Sequence, residues 1–507
     1  MAKGKSQTFL DIQFGLISMQ KHYLTAETFG FSVNAKGANL KPKQTWTLEQ
    51  DNRDGDTKVF LRSHLGRYLT ADRDGKVIAE AETPDAESRF IVLPQADGRW
   101  ALKSEAHGRF LGLKHASASG AVAVFGGHVE GKEEIEVCCF AQSVLEPELW
   151  VVHLAMHPQV CLYSTGRRQY ARLNDDQLTF DRNIPWGVSC LIMLDFQDGR
   201  YSLKACDNRY VRKDGRLVNQ SESGTKYVLE FKAGSMAFKA EDGKYLSAVG
   251  PSGTLQVGKN SKAGKDDFFL LTESHPQVVI LSYDGRVVTT CQGIDITSLL
   301  GKEEKDEETF QLEMEKGSGK VVLRTMHGSF WIIVKSSRVQ STGRMRMVDS
   351  YFDIEWRGRR IAIKASTGKY LSTLKNGQIC STNFEIGKSE EFILKLINRP
   401  IVVLRGEYGF IACRADALDC NRSSYEVFRL DFQDGAYTIQ ASNGKFWSIG
   451  PENVVGLASG ATPFLFEFIA LSRIAIRAPN GKYVQGDQAG LLTAKADCAG
   501  HTSFWEY

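Results

Sequence analysis

The chain has 507 residues, of which 42% are apolar, 10% aromatic and 24% charged, with 47 glycines, 12 prolines and a formal net charge of +3. Length alone allows roughly three to five domains, and the near-neutral balance excludes a global field that would draw the chain onto nucleic acid or a membrane surface. No run of eighteen apolar residues occurs and MAKGKSQTFLDIQFG holds no long apolar segment, so neither membrane insertion nor export is predicted and a cytosolic protein is expected.

One unit recurs along the chain and is clearest in IAIKASTGKYLSTLKNG, Ile361 to Gly377. Ile361, Ile363 and Ala365 alternate with Ala362, Lys364 and Ser366, which predicts a half-buried strand. Thr367 and Gly368 predict a turn, Lys369 and Tyr370 open a second strand, and Asn376 with Gly377 is a two-residue hairpin signal. With the aromatic or its equivalent as marker, the unit falls at Tyr23, Tyr68, Phe110, Tyr170, Tyr210, Tyr245, Val287, Phe330, Tyr370, Phe410, Phe446 and Tyr483. The mean spacing is roughly 42 residues, the scale of repeat architectures. Between these lie apolar strands with interleaved acids or polar groups: WTLE at Trp46, YVLEF at Tyr227, FQLE at Phe310, FDIE at Phe352, FRLDF at Phe428 and FLFEF at Phe464.

Strong copies carry a glycine before the aromatic, at Gly66, Gly108, Gly243, Gly328, Gly368, Gly444 and Gly481, whereas the first, fourth, seventh and tenth are weaker. Proline phrases introduce three of the weak ones: HPQV at His157, HPQV at His275 and NRPI at Asn398. Pro158 to Pro276 is 118 residues and Pro276 to Pro400 is 124, so every third unit opens a new module. Proline removes a backbone donor and suits such starts. The expected modules are 9–153, 154–273, 274–397 and 398–507, with no linker between them, so they should pack directly. Three units per module can close into a barrel capped by hairpins, giving an all-β chain of four tandem β-trefoil domains in one compact body. A propeller also repeats at this length, but its blades have no reason to differ in threes.

Candidate chemistry reads as structure. GTLQVGKN at Gly253 nearly matches a phosphate-binding loop, yet Asn260 stands where a hydroxyl is needed and no helix pattern follows. His153 and His157 have metal-like spacing on a stretch that reads as strand, while His64, His107 and His327 fall in repeat turns, which suggests a shared structural position. QTW at Gln44 resembles a sugar-binding trefoil phrase in one unit only, and core packing explains its tryptophan. The ten cysteines form no CxxC pair and read as buried small hydrophobes in a reducing compartment, while Lys114 to Glu136 and the acidic run Glu303 to Glu308 read as surface loops. Neither an enzyme nor a cofactor is predicted. Basic clusters remain: Lys36, Lys41 and Lys43; Arg167, Arg168 and Arg172; Lys259, Lys262 and Lys265; Arg338, Arg344 and Arg346; Arg357, Arg359 and Arg360. On a stiff scaffold they allow separate cationic patches suited to gripping an acidic polymer at more than one point.

Longer phrases carry a resemblance. YLTAETFGFSVNA (Tyr23 to Ala35), KQTWTLEQ, LRSHLGRYL, LINRPIVVLRGEYGF and the terminal WEY are similar to the fascin family, four-trefoil proteins that crosslink actin filaments into tight parallel bundles. The resemblance covers nearly the whole chain. It implies a monomer with at least two actin-binding surfaces, located in the cytoplasm on actin bundles such as filopodia. One surface lies near the cleft between trefoils one and four, with Lys21, His22, Lys41, Lys43, Glu407, Tyr408 and Arg414 at the matching positions. Others involve Arg99 and Arg109, Arg167 and Arg168, and Arg357, Lys364, Lys369 and Lys375. This sequence departs from the family pattern in having Asn39 where a regulatory serine is usual, Pro42 inside the basic run, Gln485 in place of a lysine, and a longer stretch from Lys114 to Glu136. A non-bundling cytoskeletal scaffold, or a glycan-binding trefoil array, is the alternative.

Overall fold

Each proline phrase leads into an apolar strand that starts a barrel. The computed structural model describes residues 12–50, 58–114, 136–232, 234–291, 293–301, 305–315, 317–415, 417–470 and 472–507. The body of the predicted loop from Lys114 to Glu136 and the first residues of the acidic run therefore lie outside the described residues; Asp306–Glu308 forms one short 3-10 turn.

Module 3 shows the closure most fully. Gln277–Ser282 pairs with Thr309–Met314, which pairs with Val321–Arg324, then Phe352–Arg357, Arg360–Ala365 and Phe392–Leu396, which returns to Gln277–Ser282. Such a ring has no free edge. Three hairpins, Val287–Thr289 with Thr297–Leu299, Phe330–Ile333 with Val339–Gly343, and Tyr370–Thr373 with Ile379–Asn383, close one end. They meet at Asp295 with Gln340, Thr297 with Gln378, and Arg338 with Cys380. Six barrel strands and a cap of three hairpins make a β-trefoil, and a propeller blade has no such closure.

The same plan runs through the barrel of module 1 from Gln13–Ile17 to Val151–Leu154, that of module 2 from Gln159–Ser164 to Phe269–Thr272, and that of module 4 from Ile401–Val402 to Phe504–Glu506. No α-helix occurs among the described residues. GTLQVGKN is a cap strand, Thr254–Val257, and the turn after it. Trp46 of QTW is wholly buried and donates to Leu24 O at 3.0 Å, as core packing requires.

The two repeat markers are partners in space. Tyr68, Tyr245, Tyr370 and Tyr483 donate their hydroxyls to Glu49, Glu230, Glu355 and Glu467 at 2.8, 2.7, 2.7 and 2.7 Å. A cation from the preceding strand covers the ring: Lys239 over Tyr245 at 5.7 Å, Lys364 over Tyr370 at 5.3 Å and Arg477 over Tyr483 at 5.6 Å. In these three copies the aromatic that anchors the hairpin is thus tied to the barrel by both its edge and its face.

The cysteines are not uniformly buried. Cys291 and Cys498 are exposed, because Cys291 falls in the turn of a cap hairpin and Cys498 in the bend that follows the cap strand Leu492–Ala496, neither on a barrel strand.

Candidate functional site: the cleft between modules 1, 2 and 4

The family resemblance implies a surface near the junction of modules 1 and 4, and a cleft of about 1160 Å³ opens there. Its walls are Leu40, Lys41, Pro42 and His64 from module 1, Asp195, Phe196 and Lys204 from module 2, and Arg405, Glu407, Arg473, His501 and Glu506 from module 4. The floor is locked by Glu506. Arg405 Nε donates to its Oε2 at 2.7 Å and Arg473 Nη2 to its Oε1 at 3.3 Å. Burial alone would raise this carboxyl, but Arg405, His157 and Arg473 hold it below the usual carboxylate range. At the rim, the exposed His501 Nδ1 lies 2.5 Å from Glu407.

The module 2 side is aromatic. Tyr23 OH and His153 Nδ1 are 2.9 Å apart, and the imidazole stacks on Phe196 at 4.0 Å. Burial, with Arg405 nearby, pushes His153 down to about 3, and burial pushes Tyr23 up to about 12. A neutral imidazole accepting from a neutral phenol follows. His157 accepts from Gln159 N at 3.2 Å through Nδ1, which leaves Nε2–H to donate to Val403 O at 3.0 Å. Among the described residues no group of His, Cys, Asp and Glu is arranged to hold a metal ion.

Of the residues expected at this surface, Lys41 and Glu407 line the cleft, with Tyr23 behind them. Lys43 turns to Glu27 at 2.8 Å and holds that carboxyl low. Lys21, His22, Tyr408 and Arg414 are not among the lining residues. Lys21 is nevertheless notable for its backbone. It stands in the repeat turn at φ 61°, the left-handed position that Gly66, Gly243 and Gly368 fill in strong copies, and exposed Arg168 does the same at φ 59°. The first and fourth copies looked weak because a long cation replaces the glycine the turn favours.

The remaining candidates divide into free and engaged. Arg99 is clasped by Glu146 at 2.6 Å and Asp97 at 2.7 Å, and Arg167 caps the carbonyls of Ala248, Gly250 and Pro251. Arg109 and Lys369 hold the position just before a cap aromatic, and Lys369 lies 5.2 Å over the exposed Phe384. Lys364 is the repeat's own ring-covering cation. Arg357 and Lys375 are exposed on hairpin tips.

The predicted basic clusters lose members to local carboxylates: Arg172 to Asp181, Arg338 to Asp295, Arg346 to Glu313 and Arg360 to Asp434. Sequence reasoning missed His64, Lys204, Arg405, Arg473, His501 and Glu506 as cleft residues. His64 sits in a repeat turn, Arg405, Arg473, His501 and Glu506 are gathered by the closure of module 4 across up to 101 residues, and Lys204 joins them only through packing of module 2.

A family signature described as the Fascin domain matches four times, over residues 20–123, 160–271, 284–394 and 409–507. Fascin-2 of Bos taurus is 48% identical over 503 residues, 98% of this chain and 98% of that one. Fascin-2 of Homo sapiens is 47% identical with the same coverage, and Fascin of Strongylocentrotus purpuratus is 34% identical over 98% of this chain and 99% of its own. With four matched domains and relatives collinear over almost their whole length, the chain belongs to the fascin family.

Proposed function

We propose that the protein binds actin filaments and crosslinks them into tight parallel bundles, acting as a monomer through at least two surfaces. Family membership supports the general activity, and the observation that carries the two-surface reading is the distribution of exposed cations over separate modules: Lys21 on module 1, Arg168 on module 2, Arg357 and Lys375 on module 3. One surface lies near the cleft of modules 1 and 4, with Lys41 and Glu407 on its wall and Lys21, His22, Lys43, Tyr408 and Arg414 outside the lining; the others include Arg109, Arg168, Arg357, Lys369 and Lys375. Single rim contacts contribute about 0–1 kcal/mol, so affinity rests on several at once. Arg99, Arg167 and Lys364 support these surfaces by shaping turns and rings, since their charges are already engaged.

The working modules are 9–154, 155–273, 274–397 and 398–507; the first boundary moves past Leu154 because strand Val151–Leu154 belongs to the first barrel. The reading entails a cytoplasmic protein concentrated on actin bundles such as filopodia, with no cofactor and no catalysis. Low-speed against high-speed actin co-sedimentation tests it. The expected result is bundles in the low-speed pellet that thin out as salt rises, and reversal of Lys41 and Lys43 to Glu removing bundles before it removes filament binding. Binding without bundles at any concentration would overturn the two-surface reading.

A further inference from the structure

Both HPQV phrases put a glutamine two residues after the histidine, and neither the repeat nor the filament reading gives these side chains a task. Both are buried, Gln159 at 3% exposure and Gln277 at 1%. Each reaches out of its own module. Gln159 Nε2 donates to Ile401 O at 3.0 Å while its Oε1 accepts from Val403 N at 2.9 Å. Gln277 Nε2 donates to Pro185 O at 2.8 Å while its Oε1 accepts from Gly187 N at 2.7 Å. In both cases the amide takes the carbonyl of one residue and the N–H of the second residue after it, so the side chain acts as one rung of a β-ladder against foreign backbone. A pattern repeated at equivalent positions of two modules is a property of the motif and not of one accidental contact.

The partners have a common direction. Gln159 joins module 2 to module 4, and Gln277 joins module 3 to module 2, so both cross from the first half of the chain to the second. The apolar cores do not cross there: modules 3 and 4 share one cluster, while modules 1 and 2 each keep their own. The same seam carries His157 on Val403 O and Tyr425 OH donating to Leu194 O at 3.2 Å. Apolar contact is non-directional, whereas a two-point amide bond fixes an angle.

We propose that Gln159 and Gln277 are positioning residues, two amide latches that hold modules 1 and 2 at a fixed angle to modules 3 and 4 and so set the relative orientation of the filament-binding faces. The latch itself stands on the hydrogen bonds above; its consequence for bundles rests on the crosslinking reading.

The test is Gln159→Met and Gln277→Met, singly and together, which keep side-chain length and burial and delete the amide. Hydrogen exchange with mass spectrometry reads the latch directly: peptides holding Val403 and Gly187 should exchange about tenfold faster, with the barrel strands unchanged. In actin assays, filament binding should stay within about twofold, while the concentration needed for bundling rises several-fold and the filament spacing seen by electron cryomicroscopy broadens. Should the double variant fail to fold, each single variant loses one latch and carries the same two readouts. Unchanged exchange at Val403 and Gly187 in folded variants would overturn the latch. Faster exchange with bundles as uniform as the wild type's would overturn its positioning role. A wild-type protein that never bundles would instead overturn the crosslinking reading and leave the exchange result to decide the latch.

Discussion

Modules 1 and 2 meet in the same way as modules 3 and 4, yet the two joints are filled differently. In each, the last barrel strand of one module donates a backbone N–H to a tyrosine of the next: Leu154 N to Tyr201 OH at 2.8 Å, and Leu396 N to Tyr437 OH at 2.8 Å. A phenylalanine backs each tyrosine, Phe196 at 5.0 Å and Phe432 at 5.1 Å. The residue over that ring is His153, stacked at 4.0 Å, in the first joint and Lys395, with its ammonium 5.6 Å away, in the second. Behind the second joint one apolar cluster runs from Val278 to Tyr507. Behind the first, two clusters stay separate, and Ile12 and Phe231 pack on both, with Phe231 5.4 Å from Trp100. The same hydrogen-bonded joint thus yields a fused body in one half and two stapled bodies in the other.

The comparison breaks first if the fused core is not fused. Phe466, 4% exposed, stacks on Tyr437 at 4.5 Å, so Phe466→Ala should cost about 3–5 kcal/mol and lower the melting of modules 3 and 4 as one transition in scanning calorimetry. Phe231 is only partly buried. Phe231→Ala should cost about 2 kcal/mol and separate the transitions of modules 1 and 2. A Phe466→Ala protein in which module 3 melts unchanged would show two cores where one is argued.

Acid should sharpen the difference next. Burial holds His153 at about 3 and His157 at about 4, both below the ordinary 6.5. As pH falls below 6.5, the unfolded chain takes protons that the folded imidazoles refuse, so stability drains through that window and the loss levels off below the folded values. The total is on the order of several kcal/mol before it is reduced where the cleft admits solvent. The half containing His153 should therefore loosen first on acidification, and His153→Gln should flatten its slope of melting temperature against pH between 6.5 and 4. Equal slopes in wild type and variant would remove His153 from the account.

A smaller effect belongs to the other half. Arg399 is 2% exposed, bonded to Ser274 Oγ and O at 3.1 Å, and faces the Tyr507 ring at 5.7 Å. Among the described residues its partners are a hydroxyl, carbonyls and a ring, none of them a carboxylate. Burying a guanidinium this way costs desolvation. Arg399→Met, of similar reach, should be neutral or gain about 1–2 kcal/mol, whereas Arg399→Ala leaves a cavity and loses stability in chemical denaturation.

What the sequence made legible was the part set by local chemistry. Period-two alternation and the recurring aromatic or its equivalent located all twelve cap hairpins, and the acid in WTLE, YVLEF, FDIE and FLFEF turned out to be the hydrogen-bond partner of the cap tyrosine. The proline phrases marked module starts, but their glutamines gave no sign of their partners, because Gln159 and Ile401 come together only through packing across 242 residues. The cleft was legible only through family resemblance, and even then as Lys41 and Glu407 without Arg405, Glu506 or His501. Charge clusters misled in the same way: whether an arginine is free depends on a carboxylate that can come from another strand or module, as Asp434 does for Arg360.

The smallest expected effect is also the one that ties the two halves to filament binding. In the repeat turn, the second half uses glycine at Gly285, Gly328, Gly368, Gly444 and Gly481, with φ near 80°, whereas the first half is divided, with glycine at Gly66, Gly108 and Gly243 but Lys21, Arg168 and Asn208 at φ 61°, 59° and 70°. A side chain in that conformation costs about 1–2 kcal/mol, and replacing it by glycine returns about 0.5–1 kcal/mol of that as extra freedom of the unfolded chain. Lys21→Gly and Arg168→Gly should therefore each gain roughly 0.5–1 kcal/mol in denaturant unfolding. If these cations were ordinary surface residues, the change would be a plain improvement. On the crosslinking reading the strain is retained because the charge is needed on a rigid turn, so each glycine variant should be more stable and yet pellet less actin at low speed. Stabilised variants that bundle as well as the wild type would mean that the first half keeps its long cations for a reason other than the filament.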